Sequence, residues 1–260
     1  MIDAEMPYAV YRAHPNLGST DLKNILKTPA HFLAARENQE TTRAKDMGRA
    51  IHSYMLERDT FFSFYAVEPE GLVHKGKNPW KKEWEQFKAD NADKIIVDRD
   101  TWDAIKGIQR SIRADRDARK IFETCRPEVS IIGENGTKAR ADLMSDDLIV
   151  DLKSCEDASD EGFIWSIQKF QYYLQSSAYV DVAEESDGRR REFLWIACEK
   201  LPPYGLQIVR ATEEMQELGK MEYLAALEIH RRCSETGVWP GYKKGIRELS
   251  FRKGFRGVLR

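Results

Sequence analysis

Two carboxylates and a lysine stand close together near the middle of this 260-residue chain. Asp142 is followed, after the turn-forming residues Ser145-Asp146-Asp147, by the run Val150-Asp151-Leu152-Lys153. The apolar residues on both sides of the turn predict a β-hairpin. Because side chains alternate along a strand, Asp151 and Lys153 should share one face. Asp142 is expected near the start of the first strand, close to Asp151 near the end of the second.

These three side chains have the chemistry that phosphodiester hydrolysis needs. Carboxylate oxygens are the ligands that Mg²⁺ prefers, and an ammonium group stabilises an attacking water or developing negative charge. The pattern is short, however, and Asp and Lys are also common in turns and on solvent-facing strands. The triplet therefore predicts a hydrolytic site only together with further residues.

Three features elsewhere could complete such a site. His52, four residues after Gly48, is a possible imidazole ligand on a predicted helix, although an isolated helical histidine more often makes a local hydrogen bond. Glu128 begins the strand before the hairpin and could ligate a second ion or simply face solvent. Gln175 and Tyr179 lie four apart on one helix face and could orient the lysine or contact a phosphate, whereas Tyr179 could equally belong to the core.

Basic residues and one helix start indicate where a polyanion could bind. Ser19 and Thr20 begin a predicted helix, whose free N–H groups hold either a phosphate or an ordinary N-capping side chain. Trp80 and Trp84 could stack on bases or pack in the core. The candidate phosphate contacts are Arg49, Lys75, Lys77, Lys81, Lys82, Lys243, Lys244, Arg247, Arg252, Lys253 and Arg256.

Composition narrows the class of protein. The chain is 42% hydrophobic and 32% charged, without a long apolar run, and predicts a globular protein that neither crosses a membrane nor carries a signal peptide. The four cysteines are scattered and form no CxxC pair, which favours reduced cytosolic thiols over disulfides or a zinc site. The net charge of −2 leaves nucleic-acid binding open, because the distribution of charge matters more than its sum.

Periodicity predicts an α/β fold in which a central mixed sheet is flanked by helices and preceded by a helical N-terminal extension. We expect one domain over 1–260, divided into a mainly helical part (1–125), a core (126–236) and a basic, irregular tail (237–260). The predicted helices are 17–37 (broken at Pro29, with a second short helix from His31), 45–58, 80–92, 101–123, 163–183 and 213–236. The predicted strands are 64–67, 128–133, 138–144, 148–153, 191–199 and 205–210.

The order G-x-x-x-H, E, D…D-x-K, Q-x-x-x-Y resembles the RecB-like branch of the PD-(D/E)XK nuclease superfamily, and most closely the RecE-type exonucleases (exonuclease VIII). The resemblance covers nearly the whole chain and implies a restriction-endonuclease-like core. Its motifs are Leu17…Leu22-Lys23, Met47-Gly48-Arg49-Ala50-Ile51-His52, Val67-Glu68-Pro69-Glu70, Arg140-Ala141-Asp142, Val150-Asp151-Leu152-Lys153, Gln175…Tyr179, Trp239-Pro240 and Leu249-Ser250.

The resemblance also implies roles for individual residues. His52, Asp142 and Asp151 would hold Mg²⁺ or Mn²⁺, together with the backbone carbonyl of Leu152. Lys153 would position the attacking water or help to deprotonate it. Glu128 would support water around the metal or bind a second ion, and Gln175 and Tyr179 would belong to the helix behind the catalytic residues.

The activity that the resemblance implies is ATP-independent, 5′→3′ digestion of linear duplex DNA in the cytoplasm of a bacterial or phage-infected cell. The products would be 3′ single strands for an annealing protein, and the enzyme would form a ring of three or four subunits. No iron–sulfur cluster is expected because the cysteines are not closely spaced, and no helicase motif G-x-x-x-x-G-K-[ST] is present. The alternatives are an endonuclease on the same fold and a noncatalytic DNA-binding module.

Overall fold

A computed structural model describes residues 1–37, 43–71 and 81–248, and a mixed β-sheet lies at its centre. Its six strands run in the order β1-β4-β5-β6-β7-β8, with β6 and β7 parallel and the other neighbours antiparallel. β2 and β3 form a separate parallel pair. The predicted mixed sheet is confirmed. The strands are β1 (Ile2–Asp3), β2 (Tyr65–Val67), β3 (Ile95–Val97), β4 (Arg126–Ile132), β5 (Lys138–Met144), β6 (Leu148–Cys155), β7 (Glu192–Glu199) and β8 (Leu206–Arg210).

Helices cover both faces of this sheet, as predicted for the α/β class. The described ones are α1 (Tyr8–Ala13), α2 (Ser19–Lys27), α3 (Pro29–Glu37), α4 (Arg43–Leu56), α5 (Arg58–Phe64), α6 (Lys81–Asp90), α7 (Arg99–Ala114), α8 (Arg116–Thr124), α9 (Asp160–Lys169), α10 (Tyr172–Asp187) and α11 (Glu213–Thr236). No helix in the described ranges is long and apolar enough to span a lipid bilayer. Residues 237–248 contain neither helix nor strand, and the rest of the predicted tail (249–260) lies outside the described residues.

Two predicted helices are each divided in two. Asp115 ends α7 and caps α8, because its carboxylate accepts a hydrogen bond from the Ala118 N–H at 2.8 Å. Gln171 lies between α9 and α10 with a left-handed φ of 50°. The predictions of continuous helices over 101–123 and 163–183 were therefore wrong. Neither break contains a proline or glycine that would have indicated it. The sequence also did not predict β1, β3, α1 or α5.

The start of α2 differs from the prediction, whereas the break at Pro29 is confirmed. Gly18, rather than Ser19 or Thr20, is the N-cap, and its N–H donates to the Asp21 carboxylate at 3.0 Å. Pro29 is the first residue of α3, where its missing N–H leaves no helical hydrogen bond unmade. Ser19 and Thr20 are therefore the first helical residues and are not capping side chains.

Each face of the sheet has its own hydrophobic core. On one face, Ile51 of α4 and Ile108 of α7 pack with Leu152 of β6. On the other, Phe163 of α9 and Val182 of α10 pack with the sheet, and all five side chains are at most 1% exposed. Burying each large apolar side chain contributes roughly 1.5–3 kcal/mol. The sheet is thus held between α4 and α7 on one side and α9 and α10 on the other.

The N-terminal helices are continuous with this assembly. Leu22 and Ile25 of α2 are at most 1% exposed and pack with Leu174 of α10 and Ala226 of α11 in a third core. This packing explains why the apolar stripe predicted for α2 is present. It also places α2 beside α10, the helix that carries Gln175.

Candidate active site

The sheet is locally distorted at Asp142. Ala141 packs in the core against α9 and α10, but Leu143 packs in the core against α4 and α7. Residues two apart on a regular strand share a face, so the alternation is broken between them. In the neighbouring strand, Glu128 has a left-handed φ of 55°. Asp142 lies third from the end of β5, not near its start as predicted, and its carboxylate accepts a hydrogen bond from the Leu152 N–H at 2.7 Å.

Asp151 and Lys153 share one face of β6, as predicted. The Lys153 Nζ lies 2.6 Å from Oδ2 of Asp151, which is only 3% exposed. The Gln175 amide bridges the two: its Nε2 donates to Asp151 Oδ1 at 2.7 Å, and its Oε1 accepts from Lys153 Nζ at 3.1 Å. The ring of Tyr172 lies 4.4 Å from the same Nζ. The lysine is therefore fixed on three sides by a carboxylate, an amide and an aromatic ring.

His52 reaches the hairpin from α4 on the opposite side of the sheet. Its Nδ1 lies 3.4 Å from the Asp142 carboxylate, although ninety residues separate the two in the chain. Ala50 and Ile51 are buried and anchor this part of α4 against the sheet. The predicted convergence of His52, Asp142, Asp151 and Lys153 is thus present in the structure. The catalytic and metal-binding roles of these residues stay predictions.

Burial and mutual proximity shift the pKa values of these groups in different directions. Although burial opposes ionisation, the His52 and Lys153 charges and the Leu152 N–H lower the pKa of Asp142. Burial and the nearby Asp142 outweigh Lys153 and raise the pKa of Asp151. Burial disfavours the ammonium of Lys153, yet the carboxylates raise its pKa. Two carboxylates that share a site commonly separate in this way.

The donor chemistry of the site suits a hard divalent cation. Asp151 Oδ2 is buried, and the Lys153 Nζ contacts it at 2.6 Å. His52 adds an imidazole beside Asp142. However, no group of three or more His, Cys, Asp and Glu side chains within the described ranges is arranged to hold a metal ion as it stands. The carboxylates are instead satisfied by neighbouring cations and N–H groups, so the ligand set that includes the Leu152 carbonyl stays a prediction.

Glu128 lies near Asp142 but is held by an arginine. Its carboxylate forms an ion pair with Arg140, which also donates to the Ser130 hydroxyl at 2.6 Å and to the Met6 carbonyl at 3.0 Å. Burial, and next the Asp142 charge, raise the pKa of Glu128. β4 begins two residues before Glu128 rather than at it. The predicted support of water or a second ion by Glu128 stays a prediction, and it would compete with Arg140.

A polar groove of about 810 Å³ brings several predicted DNA-binding residues together. Ser19, Thr20 and Arg49 all line it, although they come from two different helices. Lys75 and Lys77 lie outside the described residues, as does the side chain of Lys81. Further basic residues along the groove are Arg12, Arg36, Lys45 and Lys138.

One side of Tyr179 packs in the core and the other lines this groove. Its ring packs edge-on against Phe193, 6.3 Å between centroids, and it also lines the groove. Burial raises its pKa well above the ordinary value. One side of Tyr179 therefore belongs to the core, and Gln175 is the member of the pair that joins Asp151 to Lys153.

Lys23 and Tyr172 were not predicted as site residues. The Lys23 Nζ lies 5.5 Å from the centre of the Tyr172 ring, which also contacts Lys153. Burial, and next the Lys153 charge, lower the pKa of Lys23 to about 7. The sequence signal was weak: Lys23 stands beside the buried Leu22 of an amphipathic helix, where a lysine is usually an ordinary boundary residue.

One family of known domains and one solved structure resemble this chain over most of its length. A family described as a PDDEXK-like domain of unknown function (DUF3799) matches residues 18–248, which include His52 and all the hairpin residues. A candidate exonuclease of Eubacterium rectale superposes with a TM-score of 0.62 at 16% identity, covering 94% of this chain and 96% of that chain. An alkaline exonuclease of Laribacter hongkongensis gives a TM-score of 0.30 at 15% identity, covering 63% and 86%, which is too low to support an argument. No curated protein sequence matches.

Proposed function

The chain belongs to this family of PDDEXK-like domains, and from that premise we propose that it is a divalent-metal-dependent nuclease acting on DNA. The observation that carries the proposal is the meeting of Asp142, Asp151 and Lys153 on one hairpin, with His52 against Asp142. Carboxylates, imidazole and ammonium around one point can support metal-dependent phosphodiester hydrolysis.

In this proposal, metal binding and charge stabilisation are carried out by different residues. His52, Asp142 and Asp151 would hold Mg²⁺ or Mn²⁺, with the Leu152 carbonyl; the ion supplies Lewis-acid activation and neutralises phosphate charge. Lys153, fixed by Asp151 and Gln175, presents a charged ammonium group to the attacking water or to a nonbridging phosphate oxygen. A cation held in place before the reaction stabilises developing negative charge without reorganisation.

The electrostatics favour an enzyme over a noncatalytic binding module. Burial, together with the nearby Asp142 charge, raises the pKa of Asp151 despite the adjacent Lys153. Burying like charges together costs free energy. A module that only binds DNA gains nothing from that cost, whereas a metal-dependent nuclease uses both carboxylates.

The finer proposal is an ATP-independent exonuclease that digests linear duplex DNA 5′→3′ and leaves 3′ single strands. It rests on the resemblance to RecE-type exonucleases, since the family match identifies the superfamily and not this branch. The groove that contains Ser19, Thr20 and Arg49 supports DNA as the substrate, because it combines a helix start with basic side chains. The digestion polarity has no support beyond the resemblance.

The proposed partners are duplex DNA ends, a single-strand annealing protein and further copies of this chain in a ring. Leu218, Met221 and Leu224 support self-association. They follow one another at intervals of three along α11 and are 43%, 67% and 47% exposed. Exposed apolar side chains in a row are a common mark of a protein–protein contact.

Digestion of matched DNA substrates tests these proposals. Purified protein with Mg²⁺ should degrade linear duplex DNA and spare covalently closed circles, and it should lose activity in EDTA. Strands labelled at the 5′ or the 3′ end report the polarity. Cleavage of closed circles would favour the endonuclease instead. Tight DNA binding with no digestion under any divalent ion would favour the binding module.

A further inference from the structure

Exposed aromatic side chains extend outward from the catalytic hairpin along α9. Trp165 is 56% exposed and Phe170 is 45% exposed. The same helix is anchored by Phe163 and Ile167, which are at most 2% exposed and face the core. The two exposed rings therefore add little to the stability of the fold, and leaving them in water carries a hydrophobic cost.

These rings connect to the catalytic lysine through a continuous series of contacts. Tyr172 lies 4.4 Å from Lys153 Nζ, and Phe170 stacks on Tyr172 with 5.6 Å between centroids and 29° between planes. Lys169 joins Phe170 to Trp165, since its Nζ lies 5.2 Å and 4.3 Å from the two ring centres. We name Trp165, Lys169, Phe170 and Tyr172 the α9 aromatic surface.

The composition of this surface indicates its ligand. Flat rings offer stacking faces, and Lys169 adds positive charge beside them. At the far end, the acidic first turn of α9, Asp160 and Glu161, would repel phosphates and limits the surface to a few nucleotides. Alternating rings and cations are complementary to a strand that carries flat bases on a negatively charged backbone.

We propose that the α9 aromatic surface binds an unpaired DNA strand by base stacking, next to the catalytic hairpin. The strand must be unpaired, because the bases of a duplex stack on one another and do not offer their faces. The inference rests on the proposed nuclease function for its substrate class. It goes further by assigning a strand-binding role to residues outside the catalytic set.

Binding of two oligonucleotides tests the role of stacking. Both are 12-mers, one of thymidine and one of abasic sugar-phosphate with the same charge. Affinity is measured by fluorescence anisotropy in EDTA with the Asp151→Asn variant as background, so that no digestion occurs. The double variant Trp165→Ala/Phe170→Ala should bind the thymidine 12-mer at least about tenfold more weakly, since stacking on an aromatic ring contributes on the order of 1–3 kcal/mol per base. Its affinity for the abasic 12-mer should not change.

Two controls separate stacking from charge and from folding. Phe64→Ala removes another ring that is 62% exposed, at the end of α5, and should change neither affinity. Lys169→Gln should weaken both 12-mers and lower the slope of log affinity against log salt by about one. Equal losses of the double variant for both oligonucleotides, no loss for either, or a change in oligomeric state by light scattering would each overturn the proposal.

The two proposals can fail separately. Binding is measured without turnover, so a wild-type chain that digests no DNA refutes the nuclease proposal while the stacking result still stands. A wild-type chain that digests DNA, together with a double variant that binds the thymidine 12-mer normally, refutes the strand-binding surface alone.

Discussion

The Asp142 carboxylate accepts a hydrogen bond from the Leu152 backbone N–H at 2.7 Å, across the hairpin that carries the proposed catalytic residues. The regular pairing of these strands is Leu143 with Val150 and Met144 with Ile149, and it extends no further toward Asp142 among the described residues. The Asp142 side chain thus takes the place of a backbone carbonyl in pairing with β6, between Asp151 and Lys153. This contact fixes one oxygen of Asp142 and leaves the carboxylate beside His52.

Asp151→Asn should abolish most nuclease activity and leave the fold intact. The substitution removes a negative charge beside Lys153 and keeps the size of the side chain. Turnover should fall on the order of 10²–10³-fold, which is the usual effect of removing one preorganised electrostatic group. Asp146→Asn in the turn of the same hairpin is the control, because Asp146 is 80% exposed. Undiminished digestion by the Asp151 variant would refute the assigned site.

Gln175→Met should lower kcat with little change in KM. The variant keeps the side-chain volume but loses both contacts of the amide, at 2.7 Å to Asp151 and 3.1 Å to Lys153. Gln175 touches only these residues of the catalytic set, so it is a positioning residue. We expect turnover to fall about 10–100-fold, and we expect Gln175→Glu to shift the pH profile by adding a charge. Gln168→Met, exposed on α9, should have no effect, and equal kcat values for Gln175→Met and wild type would contradict this role.

Lys23→Met should raise the stability of the unliganded protein in a pH-dependent way. The pKa of Lys23 falls from 10.5 to about 7 on folding, first because of burial and next because of Lys153. Below about pH 7 the folded and the unfolded chains are both charged here, and the cost of burying the charge is complete. Between about pH 7 and pH 10.5 the Lys23 ammonium is deprotonated in the folded chain but still charged in the unfolded chain. The free-energy cost of burying the charge therefore decreases as pH rises through this range.

Thermal unfolding at several pH values measures this effect. The gain of Lys23→Met should be on the order of 1–3 kcal/mol at pH 6, after allowance for partial exposure, and should shrink toward pH 10. Lys27→Met, exposed on the same helix, should show no such trend. A gain that is constant across pH, or a loss of stability at pH 6, would disagree with a charged lysine held at this position.

Asp187→Asn should destabilise the protein at neutral pH. The Arg191 guanidinium is buried and bonds to both Asp187 oxygens and to the Ser145 carbonyl at 2.9 Å, so the variant leaves a buried charge without its partner. The hydrogen bonds from Arg191 lower the pKa of Asp187. The stabilisation of the folded protein by ionised Asp187 is therefore present above the ordinary carboxyl pKa, about 4. It is lost as pH falls through the lowered pKa of the folded state.

Chemical denaturation at pH 7 should show a loss of about 2–4 kcal/mol in the free energy of unfolding. The difference from wild type should narrow as pH approaches 2. The control Glu192→Gln breaks an ion pair with Arg210 in which both side chains are more than half exposed, and it should change stability by less than about 1 kcal/mol. A pH-independent deficit in the Asp187 variant would indicate a packing defect instead.

The sequence predicted the local features of this molecule. Strand periodicity located β5 to β8 to within two residues, and the two-residue spacing put Asp151 and Lys153 on one face. Proline at 29 ended one helix as expected. Helix breaks at Asp115 and Gln171 escaped prediction because aspartate and glutamine both also occur inside helices, so neither residue type by itself marks a break.

The tertiary structure decided which distant residues meet. His52 reaches Asp142 because α4 buries Ile51 against the sheet, and Gln175 reaches Asp151 because α10 packs on the opposite face. Lys23 joins them only because α2 rests on α10. Side-chain alternation and helix periodicity act over a few residues, whereas these contacts depend on the summed burial of whole faces, which no local pattern encodes.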